Sequence, residues 1–190
     1  MLNKIYWETE NAVDMACSIL VNGGIIVYPT DTLYGFGCDG KNELAIQKIN
    51  HIKGRSAPMS VLAPDKDVAS QWLDLDKNEK MKCLNLLGGR TTVIAPVKAG
   101  IVSPNIMGNN LTLGIRIPNH DFCKLLSNAY PNPITSTSVN RTGDSTLTDP
   151  NQICKVFESE IDLVVEDQII DGDGSTIYLY HKGELKILRS

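Results

Sequence analysis

Apolar residues recur along several segments of the chain at the spacing of a helix face, i, i+3, i+4 and i+7. Thr9, Asn42 and Asp149, the last followed by Pro150, are the predicted N-caps. The predicted apolar helix faces are Val13, Ala16, Cys17 and Leu20; Ala45, Ile46, Ile49 and Ile52; Phe122, Leu125, Leu126 and Ala129; and Ile153, Val156 and Phe157. The sequence between Asp76 and Leu87 is also predicted to be helical.

Short segments between these helices have the features of strands. The sequence alternates most clearly in residues 111–117, where Leu111 and the other apolar side chains share one side and Arg116 faces the other. The C-terminal segment predicts a hairpin with its turn at Lys182 and Gly183. The other predicted strands are residues 25–29, 59–63, 91–96 and 133–138. Strands interleaved with helices but ending in a hairpin predict an α/β fold with a mixed sheet.

Length and composition are those of a globular protein. The 190 residues predict a single domain spanning residues 1–190, long enough to bury roughly 70% of the surface of its unfolded chain. The longest apolar stretch near the N-terminus, ACSILVNGGIIVYP, is interrupted by Asn22, Gly23 and Gly24, so it predicts neither a membrane span nor a signal peptide. We therefore expect a cytoplasmic protein with no membrane partner.

Cysteines and histidines show no ligand spacing. An odd number of cysteines without a C-x-x-C pair favours reduced thiols, mostly in the core, and the scattered histidines are typical of surfaces and helix ends. We predict no metal site built from protein side chains. These residues are Cys17, Cys38, Cys83, Cys123 and Cys154, with His51, His120 and His181.

The stretch YPTDTLYGFGCDG, residues 28–40, follows a buried strand and combines threonine hydroxyls with glycines that free the backbone. These features favour a small polar ligand. The stretch contains no lysine or arginine to neutralise a phosphate, so any such charge must come from elsewhere in the chain.

Lys53 and Arg55, in KINHIKGR, are the first candidate source of charge. In extended chain after a helix end, their i, i+2 spacing places both cations on one side, roughly 7 Å apart, a separation that suits two phosphates. Surface cations that complement a helix dipole remain the alternative reading.

TSTSVNRTG and Arg116 are two further candidate features. Ser136, Ser138 and Asn140 share one face of a strand end, where hydroxyls and an amide bind phosphate oxygens or a purine edge, although a plain polar turn is the alternative. Arg116 lies between two isoleucines, and a cation buried there requires a partner or a function.

Taken in order, YPTDTLYGFGCDG, KINHIKGR, LGIRIPNH, STSVNRTG and STIYL with ILR resemble the YrdC-like family of threonylcarbamoyl-AMP synthases over nearly the whole chain. The resemblance implies an α/β fold in which a twisted mixed sheet with flanking helices surrounds a concave cleft. It also implies a nucleotidyltransferase that makes threonylcarbamoyl-AMP and pyrophosphate from L-threonine, bicarbonate or CO2, and ATP. This reaction is the first step toward threonylcarbamoyladenosine in tRNA.

The resemblance also assigns residues. It implies Lys53 and Arg55 as catalytic residues, with no general base, and Mg²⁺ that travels with the nucleotide. The implied threonine-binding residues are Thr32, Tyr34, Arg116, Ser136 and Ser175. The implied ATP-binding residues are Lys53, Arg55, Thr112, Ser138, Asn140 and Arg189.

The chain departs from the family pattern at Ser56, at Leu62 and in residues 87–91, LGGRT, which affects the expected shape of the cleft. A YciO-like relative with altered K-x-R and S-x-N pairs and a non-catalytic RNA-binding module are the rival interpretations. Both pairs are intact, and the formal net charge of -4 disfavours tight RNA binding. We expect a short form without the extra C-terminal domain, which passes its product to a tRNA threonylcarbamoyl-transferase complex.

Overall fold

The structure is a computed structural model that describes residues 2–190. The described chain alternates strands and helices. Its strands are β1 Asn3–Tyr6, β2 Ile26–Tyr28, β3 Gly35–Gly37, β4 Ser60–Leu62, β5 Thr91–Pro96, β6 Thr112–Arg116, β7 Ile134–Ser138, β8 Leu163–Glu166, β9 Thr176–His181 and β10 Glu184–Arg189. Its α-helices are α1 Ala12–Val21, α2 Glu43–Lys53, α3 Lys66–Trp72, α4 Lys77–Leu86, α5 Asp121–Ala129 and α6 Pro150–Phe157.

The strands form one continuous sheet in the order β1-β8-β2-β3-β7-β4-β6-β5-β9-β10. Strand pairs β1–β8, β2–β8, β4–β6 and β5–β9 are parallel, and the other neighbours are antiparallel. The predicted α/β fold with a twisted mixed sheet is therefore confirmed. The single domain over residues 1–190 stays a prediction, which the continuous sheet supports.

Two hydrophobic clusters cover the two faces of the sheet. Along β2, Ile26 and Tyr28 belong to one cluster and Val27 to the other, because successive side chains of a strand point to opposite faces. Helices α1 and α5 pack in the cluster of Ile26, whereas α2, α4 and α6 contribute to the larger cluster of Val27. The middle of the sheet is thus buried on both sides, whereas most residues of the edge strands β1 and β10 are exposed.

Several local predictions are confirmed. The Asn42 side chain caps α2 by accepting from the backbone N–H of Ala45, and Asp149 caps α6 with Pro150 at its first position. The C-terminal hairpin turns at Lys182 and Gly183. The predicted buried face of α2 is fully buried.

Other local predictions are wrong. Asn11, not Thr9, precedes α1; Thr9 lies two residues earlier in a turn, where its backbone N–H donates to Tyr6 O and its carbonyl accepts from the Ala12 N–H. Leu111 lies before β6 with φ 55° and is half exposed, so its side chain leaves the alternation. Leu125, Ala129 and Val156 are exposed, because α5 and α6 each bury a narrower stripe of residues than their apolar pattern predicts.

The residues that the structure describes include no helix of the length and apolar character needed to cross a membrane.

The Asn42 cap provides a test of the fold. We expect Asn42→Ala to lower the free energy of unfolding by about 1 kcal/mol, because a backbone N–H at the start of α2 loses its acceptor. Urea denaturation measures the change, and Asn42→Asp, which keeps an acceptor oxygen, should retain most of the stability. Equal stability of Asn42→Ala and wild type would contradict this role.

Candidate active site

A polar cleft of about 470 Å³ lies at the ends of the central strands of the sheet. Eight predicted site residues line it, contributed by the turn after β2, the segment after α2, strands β6, β7 and β10, and the residue before β9. They are Thr32, Tyr34, Arg55, Arg116, Ser136, Ser138, Ser175 and Arg189. Three other predicted residues, Lys53, Thr112 and Asn140, are not among the residues that line it.

Arg116, the last residue of β6, is held at the base of the cleft by an ion pair. Its Nη2 lies 3.0 Å from Asp31 Oδ1, and the two side chains are 8% and 10% exposed. The second carboxylate oxygen of Asp31 accepts from the backbone N–H of Asn119 at 2.8 Å. Asp31 therefore compensates a buried cation and ties the turn after β2 to the end of β6.

The same guanidinium reaches the predicted ligand turn. Arg116 Nη2 also donates to Thr32 Oγ1 at 3.1 Å, and the Thr30 hydroxyl supports the turn by accepting from the backbone N–H of Thr32 and Leu33. Arg116 Nε is buried and finds no hydrogen-bond partner within residues 2–190. Because an unpaired buried donor is costly, this N–H favours an acceptor supplied by a ligand.

Tyr34 forms part of the cleft wall, but its hydroxyl is engaged elsewhere. The hydroxyl donates to Gln168 O at 3.0 Å and accepts from the Asp167 backbone N–H at 2.8 Å, and burial raises its pKa. The loop that Tyr34 anchors approaches the turn closely, since a Cβ on Gly172 would lie 2.8 Å from Thr32 O. Tyr34 thereby fixes the loop that leads to Asp173 and Ser175 at the rim.

The predicted arrangement of Lys53 and Arg55 is wrong. Lys53 is the last residue of α2, and Gly54 then adopts a left-handed conformation with φ 65°, which ends the helix and separates the two side chains. Lys53 is 2% exposed and points into the protein, whereas Arg55 is exposed and lines the cleft. Burial, and next the positive charge of Arg55, lower the pKa of Lys53 to about 8.

Of the other predicted residues, Ser175 and Arg189 lie together at the cleft, whereas Thr112 lies away from it. The Ser175 hydroxyl shares a 2.7 Å hydrogen bond with Thr92, and Arg189 Nη2 donates to Ser175 O at 2.8 Å, so these residues form one wall of the cleft. The Thr112 hydroxyl instead donates to Asn109 O at 3.0 Å, at the opposite end of β6 from Arg116.

The sequence analysis did not single out Asp31 as a site residue. The sequence does indicate this role, because a carboxylate directly after a buried strand is a natural counter-ion for the cation predicted to be buried in β6. Thr30 and Thr137, which belong to the two polar stretches noted in the sequence, also line the cleft. Lining residues outside the noted stretches include Pro58, Met59, Ser60, Thr92, Thr146, Asp173, Gly174, Ile177 and Ser190.

Fold and site together define a class of protein. A mixed α/β sheet surrounds a polar cleft with three arginines, Arg55, Arg116 and Arg189, in its lining, as expected for a protein that binds a small anionic ligand. The family model Sua5_yciO_yrdC, described as telomere recombination, matches residues 18–190. The chain therefore belongs to the Sua5/YciO/YrdC family.

Relatives and solved structures agree with this assignment. A protein of Saccharophagus degradans named threonylcarbamoyl-AMP synthase is 31% identical over 157 residues, covering 81% of this chain and 82% of the relative. Escherichia coli YciO matches with a TM-score of 0.88 and 23% identity, covering 100% of this chain and 94% of that one. Pyrococcus abyssi Sua5 complexed with L-threonine matches with a TM-score of 0.87 and 21% identity, covering 100% and 57%. The two structures establish the fold.

The buried ion pair provides a test of the site. We expect Asp31→Asn to lower the free energy of unfolding by about 3 kcal/mol, because the Arg116 guanidinium stays buried without a counter-charge. Asp121→Asn is the matched control, since Asp121 pairs with Lys124 at the surface, where the side chains are 71% and 47% exposed. That control should cost less than about 1 kcal/mol. Equal losses in urea denaturation would contradict the role of Asp31.

Proposed function

We propose that this protein is a threonylcarbamoyl-AMP synthase, an enzyme that forms threonylcarbamoyl-AMP and pyrophosphate from L-threonine, bicarbonate or CO2, and ATP. The observation that carries the proposal is Arg116 at the polar cleft: its Nη2 contacts the Thr32 hydroxyl, and its buried Nε has no partner among residues 2–190. Relatives named threonylcarbamoyl-AMP synthase support it, as does the structural likeness to Sua5 complexed with L-threonine.

Threonine fits the base of the cleft chemically. Its carboxylate supplies the acceptor that Arg116 Nε lacks, and guanidinium–carboxylate hydrogen bonds are among the strongest in proteins. Because Asp31 already accepts from Nη2 of the guanidinium, the arginine is oriented before the ligand arrives. Ser136, in β7, is 8% exposed and also lines the cleft.

The chemistry requires positioning more than proton transfer. CO2 adds to the threonine amine, which forms an N–C bond and releases a proton to water. A carbamate oxygen then attacks the α-phosphorus of ATP, and the bond between that phosphorus and the pyrophosphate oxygen breaks. The carbamate is already anionic, so no general base is needed, and the transition-state charge is stabilised electrostatically. We assign the phosphates to Arg55 and Arg189, because both line the cleft and both are cations.

We propose that Mg²⁺ enters with the nucleotide. Within residues 2–190 no group of three or more His, Cys, Asp and Glu side chains is arranged to hold a metal ion. Phosphate oxygens and water are the ligands Mg²⁺ prefers in nucleotide sites, and Asp173 offers a carboxylate at the rim of the cleft. The ion would neutralise charge on the leaving pyrophosphate.

The proposed product must pass to a second enzyme that transfers the threonylcarbamoyl group to tRNA. A formal net charge of -4 gives this chain little electrostatic attraction for a polyanion, and its cleft arginines are assigned to threonine and ATP. We therefore propose that it releases the adenylate to a tRNA threonylcarbamoyl-transferase complex. The cytoplasmic location stays a prediction.

Arg55→Ala tests the phosphate assignment. We expect pyrophosphate release, measured with threonine, bicarbonate and Mg-ATP, to fall roughly 100-fold or more, because a cation facing the triphosphate is lost. The free energy of unfolding should change by less than about 0.5 kcal/mol, since Arg55 is exposed. Lys98→Ala, another exposed cation, is the control and should keep wild-type activity. Wild-type release by Arg55→Ala would overturn the assignment.

Titration with unmodified tRNA at two salt concentrations tests the proposed hand-over. We expect a dissociation constant weaker than about 1 μM at physiological salt, because few phosphate contacts are available. Submicromolar binding with a steep salt dependence would contradict this expectation and favour an RNA-binding module.

A further inference from the structure

Lys53 has no hydrogen-bond donor left for a ligand. Its Nζ donates to Ser138 O at 2.6 Å, to Asn140 O at 3.1 Å and to Asn140 Oδ1 at 3.1 Å. A lysine ammonium carries three N–H donors, so these three oxygens occupy all of them. The Phe36 ring, with its centroid 5.8 Å from Nζ, adds a cation–π contact.

The Asn140 side-chain amide likewise has no hydrogen-bonding site left for a ligand. An ammonium only donates, so the amide atom that faces Lys53 must be the oxygen, which fixes the orientation of the amide. Asn140 Nδ2 donates to Arg141 O at 3.0 Å and to Asp144 O at 2.9 Å. All four hydrogen-bonding sites of the amide are therefore used once Ser138 donates to its oxygen.

Ser138 connects this network to the cleft. Its Oγ donates to Asn140 Oδ1 at 2.7 Å, and the residue lines the cleft. Because the Asn140 oxygen only accepts, the hydroxyl proton is committed and the lone pairs of Ser138 remain for the cleft. The rotamer of Ser138 and the direction of its hydroxyl proton thus depend on the Lys53 ammonium, although Lys53 does not line the cleft.

Two further hydrogen bonds join the end of α2 to the turn that follows β7. The Thr142 N–H donates to Lys53 O at 2.9 Å, and Arg141 Nη1 donates to Ile52 O at 2.8 Å. The last turn of α2 and the turn at residues 138–142 therefore form one unit, with Lys53 at its centre.

We propose that Lys53 is a positioning residue: its ammonium fixes the Ser138–Asn140 turn against α2 and contacts no atom of the nucleotide, so that Arg55 is the member of this cation pair that faces the ligand. The identity of the nucleotide rests on the function proposed above. If Lys53 instead turned toward a phosphate, three buried or half-buried oxygens would lose their donor, at a cost that one new contact does not offset.

NMR of the wild-type protein tests the proposal directly. We expect the Lys53 Nζ resonance of ¹⁵N-labelled protein to keep its position when Mg-ATP saturates the site, while the Arg55 Nε resonance shifts. A Lys53 resonance that shifts as far as that of Arg55 would overturn the proposal.

A double-mutant cycle gives a second, independent test. If Lys53 acts through Asn140, Lys53→Met should weaken ATP binding tenfold or more in the wild-type background but less than about twofold when Asn140 is already alanine. Arg55→Met is the matched control, and it should weaken ATP binding by the same factor in both backgrounds. A full effect of Lys53→Met in the Asn140→Ala background would show that Lys53 does not act through the Asn140 side chain, and would overturn this part of the proposal.

Hydrogen exchange separates this proposal from the proposed function. In Lys53→Met, the amide N–H groups of Thr142 and Leu147, which bond to Lys53 O and Val139 O, should exchange tenfold faster or more, with Arg55→Met unchanged. Unchanged protection in Lys53→Met would overturn the positioning role. Wild-type protein that neither binds ATP nor releases pyrophosphate would contradict the function alone, because this exchange measurement needs no ligand.

Discussion

The candidate site depends on one buried ion pair, Arg116 with Asp31. A guanidinium at the end of a central strand is stable there only with a counter-charge, and Asp31 supplies it from the turn after β2. The pair thereby determines where that turn lies and how Thr32 is presented. Arg116 Nε has no partner in the described part of the chain, so the interaction that stabilises the fold also orients a guanidinium suited to an anionic ligand.

The charges around the cleft have different tasks. Arg116 is buried and oriented, Arg55 is exposed where it lines the cleft, and Lys53 is committed to the protein itself. Tyr34 also has a structural task at the cleft, because its hydroxyl holds the backbone at Asp167 and Gln168. Such a site requires no general base, because its ligands arrive with the charges that the reaction uses.

The sequence predicted those features that have local signals. The caps of α2 and α6 and the hairpin turn were found because each depends on a few adjacent residues. Strand β3, Gly35–Gly37, was missed because its stability comes from pairing on both sides, with β2 and β7, and not from β-forming residues. Likewise, Arg116 was predicted to need a partner, but only the fold brings Asp31 to it, and the left-handed Gly54 decides where Lys53 points.

The central claim is that threonine, CO2 and ATP react together in this cleft. The most direct measurement is exchange of labelled pyrophosphate into ATP by the purified protein, with each substrate omitted in turn. The account predicts exchange only when L-threonine and bicarbonate are both present, because the carbamate is the nucleophile. Exchange without threonine, or none with the complete mixture, would contradict it.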